Sequence, residues 1–229
     1  MFGCGQAPGQ SGVLSSGEQR SHEAPTWETL PKMYHIRMID YPVSRRTAES
    51  REKHWQYLEA RADVIVGRGP TQDDEARAMR SSLFFIDVPD RAAAERFVAE
   101  EPHNQAGCFM NVEIFRWTNV LKRHQDDFKR RDGQVYWYLR GYAKPGAHVK
   151  REALMDQHKA YLEPNDAERF ILRGSVSTDD GQWTGSANLI ALADRKAADA
   201  FAAEEPFCKN GLFERIVIER YKIGGRPGQ

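Results

Sequence analysis

The sequence predicts an α+β fold in which one β-α-β-β-α-β unit occurs twice in a single chain. The first observation is a repeat, because matching residues recur at a displacement of 104 positions, from His54 to His158 and from Pro102 to Pro206. The second is that both copies divide into the same order of strand-like and helix-like segments. Helices packed on one face of an antiparallel sheet form the ferredoxin-like arrangement, so we predict two ferredoxin-like modules.

The repeat is strongest in the second half of each copy. There an alanine-rich helix is followed by a Glu-Pro pair, a glycine and an alternating strand. The matched segments are 90–94 with 194–198, 99–102 with 203–206, Gly107 with Gly211, and 112–117 with 216–221. So many matches at one displacement indicate a duplication.

The secondary-structure elements of copy one can be predicted in order along the chain. Asp90 is predicted to be the N-cap of the second helix, and Glu101-Pro102 is predicted to end it, because a residue before proline avoids the α region. The predicted elements are a strand at 33–40, a helix at 45–62, a strand at 64–67, a polar loop at 71–75, a strand at 83–88, a helix at 91–100 and a strand at 109–117.

The two modules are expected to pack the uncovered faces of their sheets against each other. The first 31 or so residues are rich in Gly, Ser, Gln and Pro without an apolar period, which predicts a disordered tail. The predicted boundaries are this tail at 1–32, a first domain at 33–118, an exposed linker at 119–133, a second domain at 134–222 and a short tail at 223–229.

The composition argues against a nucleic-acid or membrane partner. The chain has 33 basic and 33 acidic residues, so no overall field attracts a polyanion. No apolar run approaches the roughly 20 residues that a transmembrane helix needs, and the N-terminus has no signal-peptide pattern. Three widely spaced cysteines, Cys4, Cys108 and Cys208, suit a reducing compartment. We therefore expect a cytoplasmic protein.

Sequence motifs for cofactors and metals are absent. The sequence contains no Gly-rich phosphate loop, no Walker sequence, no His-Glu-x-x-His and no Cys-x-x-Cys. This predicts a protein that needs neither cofactor nor metal and whose partner is a small-molecule ligand or substrate.

Four features of the repeat resemble the YCII-related family. They are a histidine in the first helix, a Gly-Pro-like turn after the second strand, a Gly-Ser pair opening the third strand, and an acidic-Pro-aromatic box before the last strand. In this sequence they stand as His54 and His158, Gly69-Pro70 and Gly174-Ser175, Ser81-Ser82 and Gly185-Ser186, and Glu101-Pro102-His103 and Glu205-Pro206-Phe207. The box departs from the family's usual Asp-Pro-Phe or Asp-Pro-Tyr.

The resemblance covers both copies, at about 33–118 and 134–222. Members of the family form dimeric α+β barrels, which implies that the modules of this chain pack as an intrachain pseudo-dimeric α+β barrel. Whether such pseudo-dimers associate into a homodimer is left open. Relatives resemble muconolactone isomerases in fold, and one branch eliminates HCl from a chlorinated hydroxyquinol, which implies lyase or isomerase chemistry.

The candidate catalytic residues are two histidines and two glutamates. His54 and His158 lie at equivalent places on amphipathic helices, and imidazole is the side chain best suited to move protons near neutral pH. Glu101 and Glu205 are candidates to orient those rings or to act as partner acids. The competing interpretations are histidines satisfied at the edge of the core and glutamates that only end a helix.

Six further residues are candidates for substrate binding. Arginines bind carboxylates bidentately, serines at a strand start can hydrogen-bond a substrate oxygen, and tyrosines one turn after each histidine share its helical face. The candidates are Arg68 and Arg173, Ser82 and Ser186, and Tyr57 and Tyr161. Their alternative roles are solvated surface charge, turn chemistry and core filling, respectively.

These observations predict a cofactor-independent lyase or isomerase that uses histidine acid/base chemistry on a small metabolite, with aromatic and carboxylated compounds as the candidates. One alternative is a non-enzymatic binding or regulatory module, and another is a haem protein with a histidine as axial ligand. Because copy one departs from the family at His103 and Ser81, copy two is expected to keep the better site.

Overall fold

The computed structural model describes Met1 and residues 32–226, so nearly all of the expected N-terminal tail lies outside the described residues. The strands are β1 (Lys32–Asp40), β2 (Ile65–Gln72), β3 (Met79–Ile86), β4 (Phe109–Asn119), β5 (Tyr136–Ala143), β6 (Phe170–Ser177), β7 (Trp183–Ala191) and β8 (Phe213–Tyr221). The helices are α1 (Ala48–Glu59), α2 (Arg91–Glu100), α3 (Pro102–Gln105), α4 (His148–Ala153), α5 (Met155–Leu162), α6 (Arg195–Glu204) and α7 (Pro206–Lys209).

The eight strands close into one barrel in the order β1-β3-β2-β8-β5-β7-β6-β4. Strands β4-β1-β3-β2 form the antiparallel sheet of the first module, and β8-β5-β7-β6 form that of the second. The modules join edge to edge, since β2 pairs with β8 and β4 pairs with β6. The predicted fold class, two ferredoxin-like modules in an intrachain pseudo-dimeric barrel, is confirmed.

Apolar side chains fill both the inside of the barrel and the space beneath the helices. Inside, Phe85 packs edge-on against Trp117 with ring centroids 4.7 Å apart. Outside, Phe84 packs against Phe97 of α2 at 5.3 Å. Phe84 and Phe85 serve different layers because successive strand residues point to opposite faces of a sheet.

The helix boundaries follow local capping. Thr47 and Ser50 form a capping box at the start of α1. Asp90 accepts a hydrogen bond from Ala93 N at 2.7 Å, which confirms it as the N-cap of α2. The helix ends at Glu100 as predicted, and Glu101 then caps α3, where Pro102 occupies the first helical position.

The structure differs from the prediction in the second and third strands. The second strand was expected at 64–67, but β2 continues to Gln72 because Thr71 and Gln72 pair with β8 of the other module. Gly69-Pro70 therefore lies within a strand and is not a turn. The third strand correspondingly begins at Met79, ahead of the predicted start at 83.

The segments expected to be linker and C-terminal tail are partly packed. In the linker, Gln125 and Phe128 are buried, and Arg123 donates to the carbonyl of Ile171 in β6 at 3.2 Å. At the C-terminus, Gly224 N donates to Arg68 O of β2 at 2.8 Å. Among the described residues, no helix has the length and apolar character required to cross a membrane.

Candidate active site

A histidine-carboxylate pair forms the centre of the first module's site. His54 on α1 and Glu101, which caps α3, place Nδ1 and Oε1 2.6 Å apart. The other carboxylate oxygen of Glu101 accepts from Asn104 N at 2.7 Å, so the side chain is held at both oxygens. Both oxygens of Glu101 are thus hydrogen-bonded, and Nε2 of His54 takes no part in these contacts.

Glu101 is fully buried, and its charge depends on its partner. Burial alone raises the pKa of this carboxyl, but the hydrogen bond and the charge of His54 outweigh burial and hold the pKa below its usual value. When the imidazole is neutral, a carboxylate that accepts from Nδ1–H leaves the lone pair of the ring on Nε2. Nε2 is then the basic nitrogen of the pair.

His103 on α3 lies flat against His54. The ring centroids are 4.2 Å apart and the planes differ by 16°. Neither ring nitrogen of His103 has a hydrogen-bond partner among the described residues. Burial, together with the neighbouring charge of His54, lowers the pKa of His103 to about 3, so this ring is neutral near pH 7.

A cavity of about 350 Å³ opens in front of this group, between α1, strands β2 and β3, and the segment that follows β8. Its wall includes His54, His103, Arg68 and Ser82. Ser82 Oγ accepts a hydrogen bond from Arg46 Nη2 at 3.1 Å. Three of the residues predicted for the first copy's site, one catalytic and two substrate-binding, thus share one cavity.

Copy two repeats the pair but not these surroundings. His158 Nδ1 lies 2.6 Å from Glu205 Oε1, and Phe207 stacks on His158 with ring centroids 4.0 Å apart. Phe207 belongs to an apolar cluster that includes Trp183 and Met155. His103, where copy one departs from the family, thus lines a polar cavity, and that copy two keeps the better site stays a prediction.

A comparison with protein families agrees with the duplication. The model of the YCII-related domain matches twice, at residues 33–118 and 135–222. This chain belongs to the YCII-related family. Its two matches coincide with the two modules of the barrel.

Individual proteins that are similar to this YCII-related chain match either one of its two copies or the whole barrel. A protein of Haemophilus influenzae is 25% identical over 95 residues, which are 38% of this chain and 97% of that protein. The solved 5-chloro-2-hydroxyhydroquinone dehydrochlorinase of Burkholderia phenoliruptrix AC1100 is 30% identical and covers 39% of this chain and 95% of its own, with a TM-score of 0.36. A chlorite dismutase mutant from Candidatus Nitrospira defluvii covers 84% of this chain and 91% of its own at 8% identity, with a TM-score of 0.55, which shows the shared barrel fold.

The two predicted arginines have different surroundings in this YCII-related structure. Arg173 is buried and donates from Nε and Nη2 to the two oxygens of Asp166, at 2.7 and 2.6 Å. Its guanidinium is thus occupied by the protein itself, and the predicted role in substrate binding is not supported. Arg68 lines the cavity and has no carboxylate partner among the described ion pairs.

The two predicted tyrosines belong to the helix packing. Tyr57 donates to Phe97 O at 2.8 Å, and Tyr161 donates to Phe201 O at 3.0 Å. Each phenol therefore joins the two helices of its module instead of lining the cavity. Ser186 lies on β7 opposite Ser175, at the place equivalent to Ser82.

Three side chains in copy one have the chemistry of metal ligands. One ligand atom each from His54, Glu101 and His103 lies within 4.8 Å of the others. The two imidazoles are stacked almost parallel, however, so their in-plane lone pairs do not converge on a single ion as the ligands of a metal centre do. The cavity is also at the low end of the roughly 300–1,000 Å³ range of ligand pockets, which suits a small metabolite better than haem.

Several cavity residues were not anticipated from the sequence. They come from α1, from the segment before it, and from the segment after β8 of the other module. These residues are Arg46, Arg51, Trp55 and Lys222. The repeats differ in charge at three of these positions: Met155 and Thr118 stand where copy one has Arg51 and Lys222, and Lys159 stands where it has Trp55.

Proposed function

We propose that this YCII-related chain is a cofactor-independent lyase or isomerase in which His54 moves a proton on a small metabolite. The observation that carries the proposal is the 2.6 Å contact between His54 Nδ1 and Glu101 Oε1 at the wall of a cavity. The carboxylate selects the tautomer with a free lone pair on Nε2, as in other histidine-carboxylate pairs. In that tautomer His54 acts as a base, and once protonated it acts as an acid.

The reaction begins with transfer of a proton from a substrate C–H or O–H to His54 Nε2. The electron pair left on the substrate either expels a leaving group, which is a lyase reaction, or shifts a double bond. In the first case Nε2 then gives its proton to the leaving group or to water. In the second case the proton returns from Nε2 to another carbon, which is an isomerase reaction. Glu101 stabilises the imidazolium between the two steps.

The remaining walls supply polar contacts for such a substrate. Ser82 Oγ accepts from Arg46, so its own O–H proton is free to be donated to a substrate oxygen. Arg68 offers guanidinium N–H groups to a carboxylate or a phenolate. His158 and Glu205 have the same pair geometry, and we assign them a lesser role because an apolar cluster packs around Phe207.

The test is proton exchange with solvent. The protein is incubated in D₂O with small aromatic and carboxylated metabolites, and deuterium uptake and new products are followed by NMR and mass spectrometry. Wild type and His158→Gln should exchange a substrate proton, whereas His54→Gln should not. Exchange at the wild-type rate by the double variant would exclude histidine catalysis, and ligand binding without exchange or product would favour a non-enzymatic binding module.

A further inference from the structure

The cavity of copy one has a strongly positive wall. Among the described residues that line it, four carry basic side chains, Arg46, Arg51, Arg68 and Lys222, and none is acidic. Arg46 forms a largely buried ion pair with Asp40. The other three basic residues have no carboxylate partner among the ion pairs of residues 32–226. The charges of Asp126 and Glu59 act on Arg68 from a greater distance, but the residues that line the cavity are net positive.

Arg68 is the most buried of these three, since Arg51 and Lys222 are exposed. It is half-buried on β2, its Nη1 is shielded from solvent without a hydrogen-bond partner, and its guanidinium lies over the Trp55 ring at 5.7 Å. Burial also lowers the pKa of Arg68, which indicates that its charge is poorly solvated. Burying a charge without a partner is costly, and an anion in the cavity would relieve that cost.

Lys222 reaches the cavity from the second module. It follows β8, and its backbone N–H donates to Pro70 O on β2 at 3.0 Å. Beyond it, Arg226 forms ion pairs with Glu52 and Glu59 on α1, at 2.6 and 3.2 Å. The segment is thus fixed across the cavity at both ends, and the site is incomplete without the second module.

The rest of the wall is apolar and partly aromatic. Trp55, Met79 and Phe84 contribute to it, so it can hold a flat hydrocarbon body while polar groups surround one end. The ligand that matches this wall is small and planar, with an anionic group at one edge.

The second copy lacks most of these features. Met155 stands where copy one has Arg51, Thr118 stands where it has Lys222, and Arg173 is paired with Asp166. Copy two does carry other cations here, because Lys150 and Lys159 stand where copy one has Arg46 and Trp55. Arg151 lies over the Trp183 ring at 5.2 Å, with its Nε buried and without a hydrogen-bond partner. Among the described parts of the two modules, an arginine without a carboxylate partner at the Arg68 position, together with a lysine from the other module at the Lys222 position, is found in copy one alone.

We infer that copy one is an organic-anion site that binds a small planar carboxylate, with Arg68 and Lys222 on the carboxylate and the aromatic wall on the ring. The inference rests on the proposed function only in placing the reactive carbon beside His54. Recognition of the carboxylate depends on the basic residues and can be measured without turnover.

The experiment compares benzoate, salicylate and cinnamate with the corresponding amides, by calorimetry and by thermal shift on the full chain. At least one carboxylate should bind with a Kd of millimolar or tighter, and its amide should bind at least tenfold more weakly. Added salt should weaken the binding of the carboxylate and leave that of the amide unchanged. Arg68→Gln and Lys222→Met should each lower the affinity for the carboxylate at least tenfold. Lys196→Met, which removes an exposed lysine of α6, is the matched control and should leave the affinity within twofold.

Other outcomes overturn the inference. These are equal affinity for acid and amide, no binding by any of the three acids, or affinities within twofold of wild type in both Arg68→Gln and Lys222→Met. Should Arg68→Gln fail to fold, Arg68→Lys is the second variant. It keeps the positive charge but cannot donate two parallel hydrogen bonds to a carboxylate, so it should still weaken binding. Two readouts separate this inference from the proposed function. Loss of carboxylate affinity in Arg68→Gln and Lys222→Met supports the inference even if wild type shows no proton exchange, whereas proton exchange in His54→Gln tests the proposed function alone.

Discussion

His103 lies flat on His54, with ring centroids 4.2 Å apart, and both of its ring nitrogens lack a hydrogen-bond partner. In copy two Phe207 occupies the same place on His158, at 4.0 Å and almost parallel. The duplication has therefore kept the stack and changed its chemistry. Only in copy one does the acid/base pair have a second titratable ring beside it.

Acid is expected to destabilise the protein through His103. Its pKa of about 3 in the folded protein is below the ~6.5 of a histidine in an unfolded chain. Between these values the unfolded chain binds a proton that the folded protein excludes. Stability is therefore full above about pH 6.5 and is lost as the pH falls toward 3, with a limiting slope of about 1.4 kcal/mol per pH unit.

Urea unfolding of wild type and His103→Phe measures this effect. The substitution introduces the ring that copy two uses at Phe207, so packing should be retained. Between about pH 7.5 and about pH 4.5, wild type should lose about 2.5–3 kcal/mol more stability than the variant. His148→Phe, at an exposed position of α4, should behave as wild type. Parallel pH curves for wild type and His103→Phe would contradict the assignment.

Glu101→Gln is expected to abolish most proton exchange. The amide removes the charge that stabilises the imidazolium of His54, and loss of such acid/base assistance costs about 10²-fold or more in rate. Glu205→Gln is the matched control, since Glu205 makes the same 2.6 Å contact with His158 in copy two. The measurement is the deuterium-uptake rate across pH. An equal loss in both variants would show that the two copies contribute alike.

Sequence reasoning predicted the barrel better than the site. The repeat, the N-cap at Asp90 and the helix end at Glu101-Pro102 depend on local patterns, so they could be read from one chain. The pairing of His54 with Glu101 was a candidate because both residues recur at the same displacement. The ion pair of Arg173 with Asp166 was not predictable, because Asp166 lies in an irregular segment. Lys222 was missed because its contact with β2 arises only when the barrel closes.

Gly69→Ala is expected to displace the segment that follows β8. A Cβ at this position would lie 2.1 Å from Lys222 O and 2.9 Å from Gly224 N, and backbone atoms cannot yield as a flexible side chain does. Such overpacking typically costs about 1–3 kcal/mol. Urea unfolding should show this loss, and carboxylate affinity should fall with it. Gly225→Ala is the control, because its Cβ would meet nothing within 4 Å.

Asp166→Asn is expected to lower stability without affecting copy one. Arg173 is 5% exposed and depends on both oxygens of Asp166, so removing the carboxylate leaves a buried cation unpaired. Breaking a buried pair costs roughly 3–5 kcal/mol, and less here because Asp166 is partly exposed, so we expect about 2–3 kcal/mol. Asp126→Asn, which removes an exposed ion pair with Arg130, should cost under about 1 kcal/mol in the same urea titration. Proton exchange should persist in the folded Asp166→Asn protein, and its loss there would instead locate the reacting site in copy two.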